Sequence, residues 1–191
     1  MGNSNDLGKL AFALNGCRDL LEKLRYETGR LNTTERFDVM GRGYIAFNCA
    51  VTAWHMTDWV WAELDPIQRE KIQALAGTTC ELEATNPKPL QAYARRESPA
   101  LKLCELLANG SKHYILRNPT HVSTTITDGE GVDYGNPVVN DGGKETWVGE
   151  VLCQAVCWWE MFLTDWRVAE ELPFVPEGDR DGSSPFPLKR V

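Results

Sequence analysis

The sequence predicts a mainly α fold, an up-and-down helical bundle of four main helices with a small β-hairpin before the last helix. Long segments place apolar residues at alternating spacings of three and four, the period of a helix with one apolar face. Residues 121–146 change to a period of two and are rich in turn formers, which is typical of a short hairpin. The 191-residue length and the 42% hydrophobic content fit one globular domain with a sizeable core.

That domain is expected to span residues 1–172. The remaining segment, residues 173–191, has four prolines and no period, and we expect it to be extended or disordered.

The first helix is predicted from Asp6 to Leu31. Its apolar seam comprises Leu7, Leu10, Leu14, Cys17, Leu21, Leu24, Thr28 and Leu31. A short turn then leads into a second helix, predicted over residues 34–64. Two helices of this length joined by a short turn form an antiparallel pair, the usual start of a bundle.

The second helix continues the same spacing, and we expect its seam to be its buried face. The seam comprises Phe37, Met40, Tyr44, Phe47, Val51, Trp54, Asp58 and Trp61. Asp58 is its only residue that is neither apolar nor aromatic, so a carboxylate is expected among core residues.

The rest of the chain completes the bundle. Asp65 as a cap and Pro66 at the first helical position predict a short third helix, whereas residues 76–98 mix Gly, Pro and charge and predict a connecting loop with one turn of helix. Helical spacing returns at residues 99–114. The last main helix is predicted over residues 145–172, with a seam of Val148, Leu152, Ala155, Trp159, Phe162 and Trp166.

The composition limits the partners of the protein. A formal charge of −7 and a pI near 5 provide no broad attraction to nucleic acid or anionic membrane, so DNA is not expected as a partner. Neither a secretory signal nor an apolar run of membrane-spanning length is present. The six cysteines form no C-x-x-C pair and are interpreted as small core residues of a reducing compartment. A cytoplasmic location without a cofactor is therefore expected.

Two matching sets of polar residues form the candidate site. Asn48, His55 and Asp58 lie within one strip of the second helix, since residues three, four and seven apart share a face. Residues 99–114 carry Asn109 and His113 four residues apart, with Lys112 adjacent, so each set has an amide one or two turns before a histidine. Buried imidazoles and carboxylates are costly unless they are partnered, so we expect the strips to face each other. Asp58 or Asn48 should then lie within hydrogen-bonding reach of His113 or Lys112.

Three chemistries are open for such a site. His55, Asp58 and His113 could ligate a divalent metal, although the Glu-x-x-His motifs of di-iron bundles are absent. The two histidines could act as general acid and base on RNA, with Lys112 stabilising phosphate charge. A small-ligand pocket could use Trp54, Trp59 or Trp61 as aromatic walls, beside Asn48 and Asn109. The structural alternative is a polar network that only fixes helix register.

The segment "ANGSKHY" at the end of an inner helix resembles the HEPN superfamily, helical-bundle proteins found in RNA-cleaving toxins and antiviral defence. In that family an Arg, often followed by Asn, precedes a His by a short spacing, and dimerisation brings two copies of the motif together. Asn109 matches the polar residue and His113 the histidine, whereas Ala108 occupies the Arg position. A second near-match, Arg117 to His121, has one residue too few between its Arg and His, and it contains Pro119.

The resemblance implies a protein of phage–host conflict, either a degenerate ribonuclease or an RNA- or ligand-binding remnant of one. Its site would comprise His113, His55, Asp58 and Lys112. The alternatives are a non-enzymatic interaction module that works through an aromatic surface, and a metal-binding bundle. A homodimer and an RNA or protein partner are expected under the first two readings.

Overall fold

A computed structural model describes residues 14–35, 37–110, 122–126 and 135–166. Within them the fold is mainly helical, and a small antiparallel hairpin precedes the last helix, as the sequence predicts. The six helices are α1 (Cys17–Thr33), α2 (Val39–Glu63), α3 (Pro66–Ala76), α4 (Lys88–Glu97), α5 (Pro99–Gly110) and α6 (Val148–Asp165). Residues 1–13 and the predicted tail lie outside the described residues.

Helix α2 lies at the centre of the fold and packs against α1, α5 and α6. The predicted seam of α1 is confirmed from Cys17 to Leu31, because its five members in that range are all buried. The predicted seam of α6 is buried from Val148 to Phe162. Aromatic side chains stabilise this side of the core: the Phe162 ring stacks on Trp158 and Trp166, at centroid distances of 5.1 and 5.6 Å.

The seam predicted for α2 is wrong over its first half, because this half faces solvent. The large side chains Phe37, Met40, Tyr44 and Phe47 are exposed. The buried face consists largely of smaller residues: Ala46, Cys49, Ala50, Thr52, Ala53, Met56, Thr57 and Val60, with Trp54 and Trp61 at one edge. The helix therefore turns its small residues toward its neighbours.

The starts of α1 and α2 differ from the predicted ones, whereas the start of α3 agrees with the prediction. Helix α1 begins at Cys17, so Leu14 precedes it, and α2 begins at Val39 after the N-cap Asp38, whose carboxylate accepts the Gly41 N–H at 2.9 Å. The Asp65 cap of α3 is confirmed and forms a capping box with Gln68.

Helix α4 is the main correction to the predicted connections, since residues 76–98 were expected to contain one turn only. The ten-residue helix buries Leu90 and Ala94. Its short apolar face was obscured in the sequence by the charged residues around it.

Three strands form the small sheet, in the order β1 (Val122–Ile126), β2 (Pro137–Asp141) and β3 (Lys144–Trp147), all antiparallel. Strands β2 and β3 form a tight hairpin whose turn has positive φ at Gly142 and Gly143, 60° and 93°, a conformation that glycine adopts without strain. The buried Val139 of β2 joins the helical core, so the sheet packs onto the bundle.

Candidate interaction surface

The exposed face of α2 carries a row of large apolar side chains. We call Met40, Tyr44, Phe47 and Val51, together with Phe37 just before the helix, the α2 strip. Phe37 is 84% exposed, Met40 and Tyr44 are each 61% exposed and Phe47 is 41% exposed, while Val51 is half-buried. The row follows one face of α2 for about three turns, because its helical members are four, three and four residues apart.

The α2 strip faces outward because the opposite face of the helix is the one that its neighbours approach. On the α6 side, Trp159 donates its indole N–H to the carbonyl oxygen of Ala53 at 3.0 Å. On the α1 side, the Lys23 ammonium donates to the Thr52 hydroxyl at 2.8 Å. The small side chain of Ala53 lets the Trp159 indole reach the α2 backbone, and the large residues of the strip lie on the solvent side.

The helical part of the strip has few charged neighbours along the chain, whereas the exposed Glu35 and Asp38 flank Phe37 at its start. Between Val39 and Thr57 the sequence has one residue that is charged at neutral pH when histidine is neutral, Arg42. Arg42 is 3% exposed, and its guanidinium donates to the Thr34 carbonyl at 2.9 Å and to Asn136 Oδ1 at 2.7 Å. Its charge is therefore held inside the fold, between the end of α1 and the start of β2.

The three polar residues predicted on α2 continue along this exposed side. Asn48 and Asp58 are exposed and His55 is half-buried, and Asp58 Oδ1 accepts a hydrogen bond of 3.3 Å from Gln91 of α4. The expectation that they lie on the dry face of the helix is wrong. A catalytic or ligand-binding role for them stays a prediction.

The second predicted set lies only partly within the described residues. Asn109 is half-buried near the end of α5, after the buried Ala108. Lys112 and His113 lie outside the described residues, so the predicted hydrogen bond from either of them to Asp58 or Asn48 stays a prediction. Within the described ranges, no group of three or more His, Cys, Asp and Glu side chains is placed to hold a metal ion.

The tryptophans predicted as pocket walls are mainly core residues. Trp54 is buried, and the Arg95 guanidinium lies 5.6 Å from its ring centroid, while Arg95 also pairs with Glu105 at 2.6 Å. The buried Trp61 donates its indole N–H to the Glu83 carbonyl at 2.7 Å. Trp59 is half-buried, so it is the most accessible of the three.

The six cysteines differ in burial, and Cys80 is half-buried. Cys17, Cys49 and Cys104 are buried, as expected for core residues, whereas Cys153 and Cys157 are exposed on α6, which corrects their assignment to the core. Burial raises the pKa of Cys49 and of Cys104 to about 12. Burial raises the pKa of Cys17 further, and the neighbouring Glu63 carboxylate raises it as well.

The sequence placed every residue of the strip on one face of α2, but this face was predicted to be buried. The signal that would have separated the two faces is the row of Ala46, Ala50 and Ala53, which marks the close-packed side.

Comparisons with known proteins give no family for the chain. No family model matches it, and no curated protein or solved structure matches it either. None of the helices in the described ranges is long and apolar enough to span a membrane.

Proposed function

We propose that the protein is a cytoplasmic protein-interaction module whose contact surface is the α2 strip. The observation that carries this proposal is the exposure of Met40, Tyr44 and Phe47 in one row on a well-packed helix. Large apolar side chains in a contiguous exposed row are favourable only when another surface removes them from water.

The size of the strip supports a binding role. With about 200 Å² of surface for each large side chain, the exposed fractions of Phe37, Met40, Tyr44 and Phe47 correspond to about 500 Å² of apolar area. Patches of about 300–600 Å² are the largest that ordinary monomers expose, and they are often functional. Tyrosine, phenylalanine and methionine are also the residue types enriched at protein interfaces.

The polar residues beside the strip fit the rim of such an interface. Asn48, His55 and Asp58 lie beside the apolar row, on the same exposed side of α2. An apolar centre with a polar edge is the usual organisation of a protein–protein contact.

Photocrosslinking tests the proposal in cells that produce the full chain. A photoreactive phenylalanine analogue replaces Tyr44, and in a matched control it replaces Tyr26, an equally exposed aromatic residue of α1, 68% exposed, outside the strip. We expect covalent protein adducts from position 44 and few from position 26. Equal yields at the two positions, or no adduct from position 44, would contradict the proposal.

A second candidate is a degenerate HEPN-like ribonuclease, or its RNA-binding remnant, acting in phage–host conflict. The spacing of Asn109 and His113 and the place of Asn109 at the end of α5 favour it. The purified full chain would be assayed for RNA cleavage and RNA binding beside His113→Ala and Lys112→Ala. Loss of both activities in the His113 variant would support this candidate, and unchanged activity would remove His113 from the site.

The metal-binding alternative rests on His55, Asp58 and His113. It predicts bound divalent metal in protein purified without chelator or affinity tag, and loss of that metal in His55→Ala. Metal-free protein from such a preparation would exclude it.

A further inference from the structure

Helix α6 carries three exposed sulfur-containing side chains on its outer face. Cys153 and Cys157 are both exposed, and Met161 is 58% exposed. The three residues follow one another at intervals of four, so their side chains lie one turn apart along the same face. We infer that these three residues, which we call the sulfur row, form a binding site for the soft metal ion Cu(I). The inference concerns a different helix from the α2 strip and does not depend on the proposed function.

The sulfur row lies at the centre of the outer face of α6. Ala155 and Trp159, two residues before and after Cys157, are both 0% exposed. Two residues correspond to about 200° of rotation around the helix axis, so Cys157 lies on the side opposite to the core. Within the described part of the chain, no other group forms a hydrogen bond with the thiol of Cys153 or Cys157. Both sulfurs are therefore accessible to a ligand from solvent.

Packing in the core does not account for the two cysteines of the row. Free cysteine is among the residue types that are most often buried, and Cys17, Cys49 and Cys104 follow that rule. Cys153 and Cys157 contribute nothing to the core, yet they lie one helical turn apart on the exposed face. The property that this arrangement provides is a pair of neighbouring thiols.

The spacing of these thiols suits one metal ion. Residues four apart on a helix have Cβ atoms roughly 5–6 Å apart, and two metal–thiolate bonds of about 2.3 Å each span nearly the same distance. One ion between the sulfurs of Cys153 and Cys157 therefore binds both without a change in the helix. The thioether of Met161 supplies a third sulfur, because helix side chains lean toward the N-terminus and methionine is flexible.

The kind of ligand selects the ion. Zn²⁺ in structural sites takes four ligands in a tetrahedral arrangement, whereas the sulfur row provides two thiolates and one thioether. Thiolate and thioether ligands are soft and favour Cu(I). Because Cu(I) is bound stably by two or three sulfur ligands, the row is complete for this ion without a ligand from another helix.

The charge of α6 favours a cation at the row. The sequence of the helix contains Glu150, Glu160 and Asp165 and no Lys, Arg or His. Glu160 pairs with Arg25 of α1 at 2.6 Å, while the exposed Glu150 lies one turn before Cys153 on the outer face. Negative charge beside the two thiols attracts a cation and repels an anionic ligand.

Binding exchanges protons for one ion. Each thiol loses its proton to solvent as its S–H bond breaks, and the sulfur forms a bond to copper in its place. Copper stays in the +1 state, so no electron is transferred and no oxidant or reductant is consumed. The bound ion, with one positive charge and two thiolates, adds one net negative charge to α6.

Competition with a chromophoric Cu(I) chelator tests the inference on the purified full chain, without oxygen and with a thiol-free reductant. We expect one tightly bound Cu(I) per chain. Cys153→Ser and Cys157→Ser should each raise the Kd about 100-fold or more, because the ion then loses a second thiolate held close to the first. Cys80→Ser changes a half-buried thiol outside the row and is the matched control, which should leave the Kd unchanged.

A second control separates the spacing of the thiols from their number. The double variant Cys157→Ser with Thr164→Cys keeps two thiols at exposed positions of α6, but it places them about 16 Å apart along the helix. One ion cannot bridge that distance, so the Kd should equal that of Cys157→Ser alone. X-ray absorption of the copper-loaded wild type should show sulfur ligands only, and Met161→Leu should reduce their number from three to two.

Three results would overturn the inference. The first is a wild type that does not compete with the chelator, and the second is a wild-type Kd in both single cysteine variants or in the variant with the displaced thiol. The third is copper bound by nitrogen or oxygen atoms, which would assign the ion to another part of the chain. Circular dichroism checks that the variants fold, and the X-ray absorption of the wild type tests the ligand set without any variant.

Discussion

The Glu63 carboxylate, in the last turn of α2, accepts the backbone N–H of Cys17 at 2.6 Å and its thiol at 3.1 Å. Cys17 is the first residue of α1, and the preceding Gly16 has no side chain to cap the helix. The Glu63 side chain therefore caps the N-terminus of α1, although Glu63 lies 46 residues after Cys17 in the sequence. A negative charge at this end also interacts favourably with the helix dipole.

Replacing Glu63 should destabilise the protein and change the chemistry of Cys17 together. For Glu63→Ala we expect a loss of about 1–2 kcal/mol in the free energy of unfolding, the usual cost of removing a helix cap. The pKa of the Cys17 thiol should fall, since the neighbouring carboxylate raises it. Urea denaturation measures the first effect, with Glu70→Ala on exposed α3 as the control that should change stability by about 0.5 kcal/mol or less. A stability loss no larger than that of the control would contradict the capping role.

Arg42 should be far more important for stability than an exposed arginine. Its buried guanidinium joins Thr34 to Asn136, so Arg42→Ala leaves two half-buried acceptors without their charged donor, at a cost of about 2–4 kcal/mol. Arg42→Lys should lose much of this too, because an ammonium does not reproduce the fork of the guanidinium. Thermal or urea denaturation beside Arg30→Ala, an exposed control on α1, measures the difference, and equal losses for the two alanine variants would reject the role.

Asp58→Asn should change stability little. A buried carboxylate that fixed helix register would cost about 3–5 kcal/mol to break, but Asp58 is exposed, and interactions of exposed charged groups contribute about 1 kcal/mol or less. We expect a change of about 0.5 kcal/mol or less, which isosteric replacement and urea denaturation can resolve. A loss of several kcal/mol would instead show that Asp58 has a strong buried partner.

Helical periodicity predicted the fold well because apolar side chains repeat every three to four residues in most of the chain. In α1 the large residues Leu21, Leu24 and Leu31 are also the buried ones, so pattern and burial agree. In α2 pattern and burial disagree. The large residues indicate a helix with one apolar face, but the face that packs against the neighbouring helices carries Ala46, Ala50 and Ala53. Which face is buried depends on the neighbouring helices, and these are not visible in a single segment.

The candidate site was predicted less well for the same reason. Asn48, His55 and Asp58 were assigned correctly to one side of α2, because residues at these spacings share a face. Their burial was inferred from aromatic neighbours, but Phe47 is exposed, and burial of Trp54 and Trp61 did not extend to the polar residues beside them. The contact expected with His113 depends on how α5 continues, which local spacing does not determine.

Thiol labelling should separate the six cysteines by burial. In the native protein we expect Cys153 and Cys157, both exposed, to react fast with a thiol reagent at mildly alkaline pH, and the half-buried Cys80 to react more slowly. Cys17, Cys49 and Cys104 should react only on unfolding, because burial both blocks access and keeps their thiols protonated. Mass spectrometry of the labelled peptides over time gives the order, and early labelling of Cys104 would contradict the packing of α5 against α2.

Stability should fall at alkaline pH because of the same buried thiols. Their pKa is raised in the folded state, from the ordinary 9.0 to about 12 for Cys49 and Cys104, so unfolding releases protons between these values. The stabilisation is fully present below pH 9 and is lost as the pH rises toward about 12. Each thiol lowers the free energy of unfolding by about 1.4 kcal/mol per pH unit in that window.

Urea denaturation at a series of pH values gives the slope of the free energy of unfolding against pH. Cys104→Ala should reduce this slope by the contribution of one thiol, while the exposed Cys153→Ser should leave it unchanged. A Cys104→Ala slope equal to that of the wild type would show that the thiol of Cys104 ionises equally well in the folded and unfolded chains.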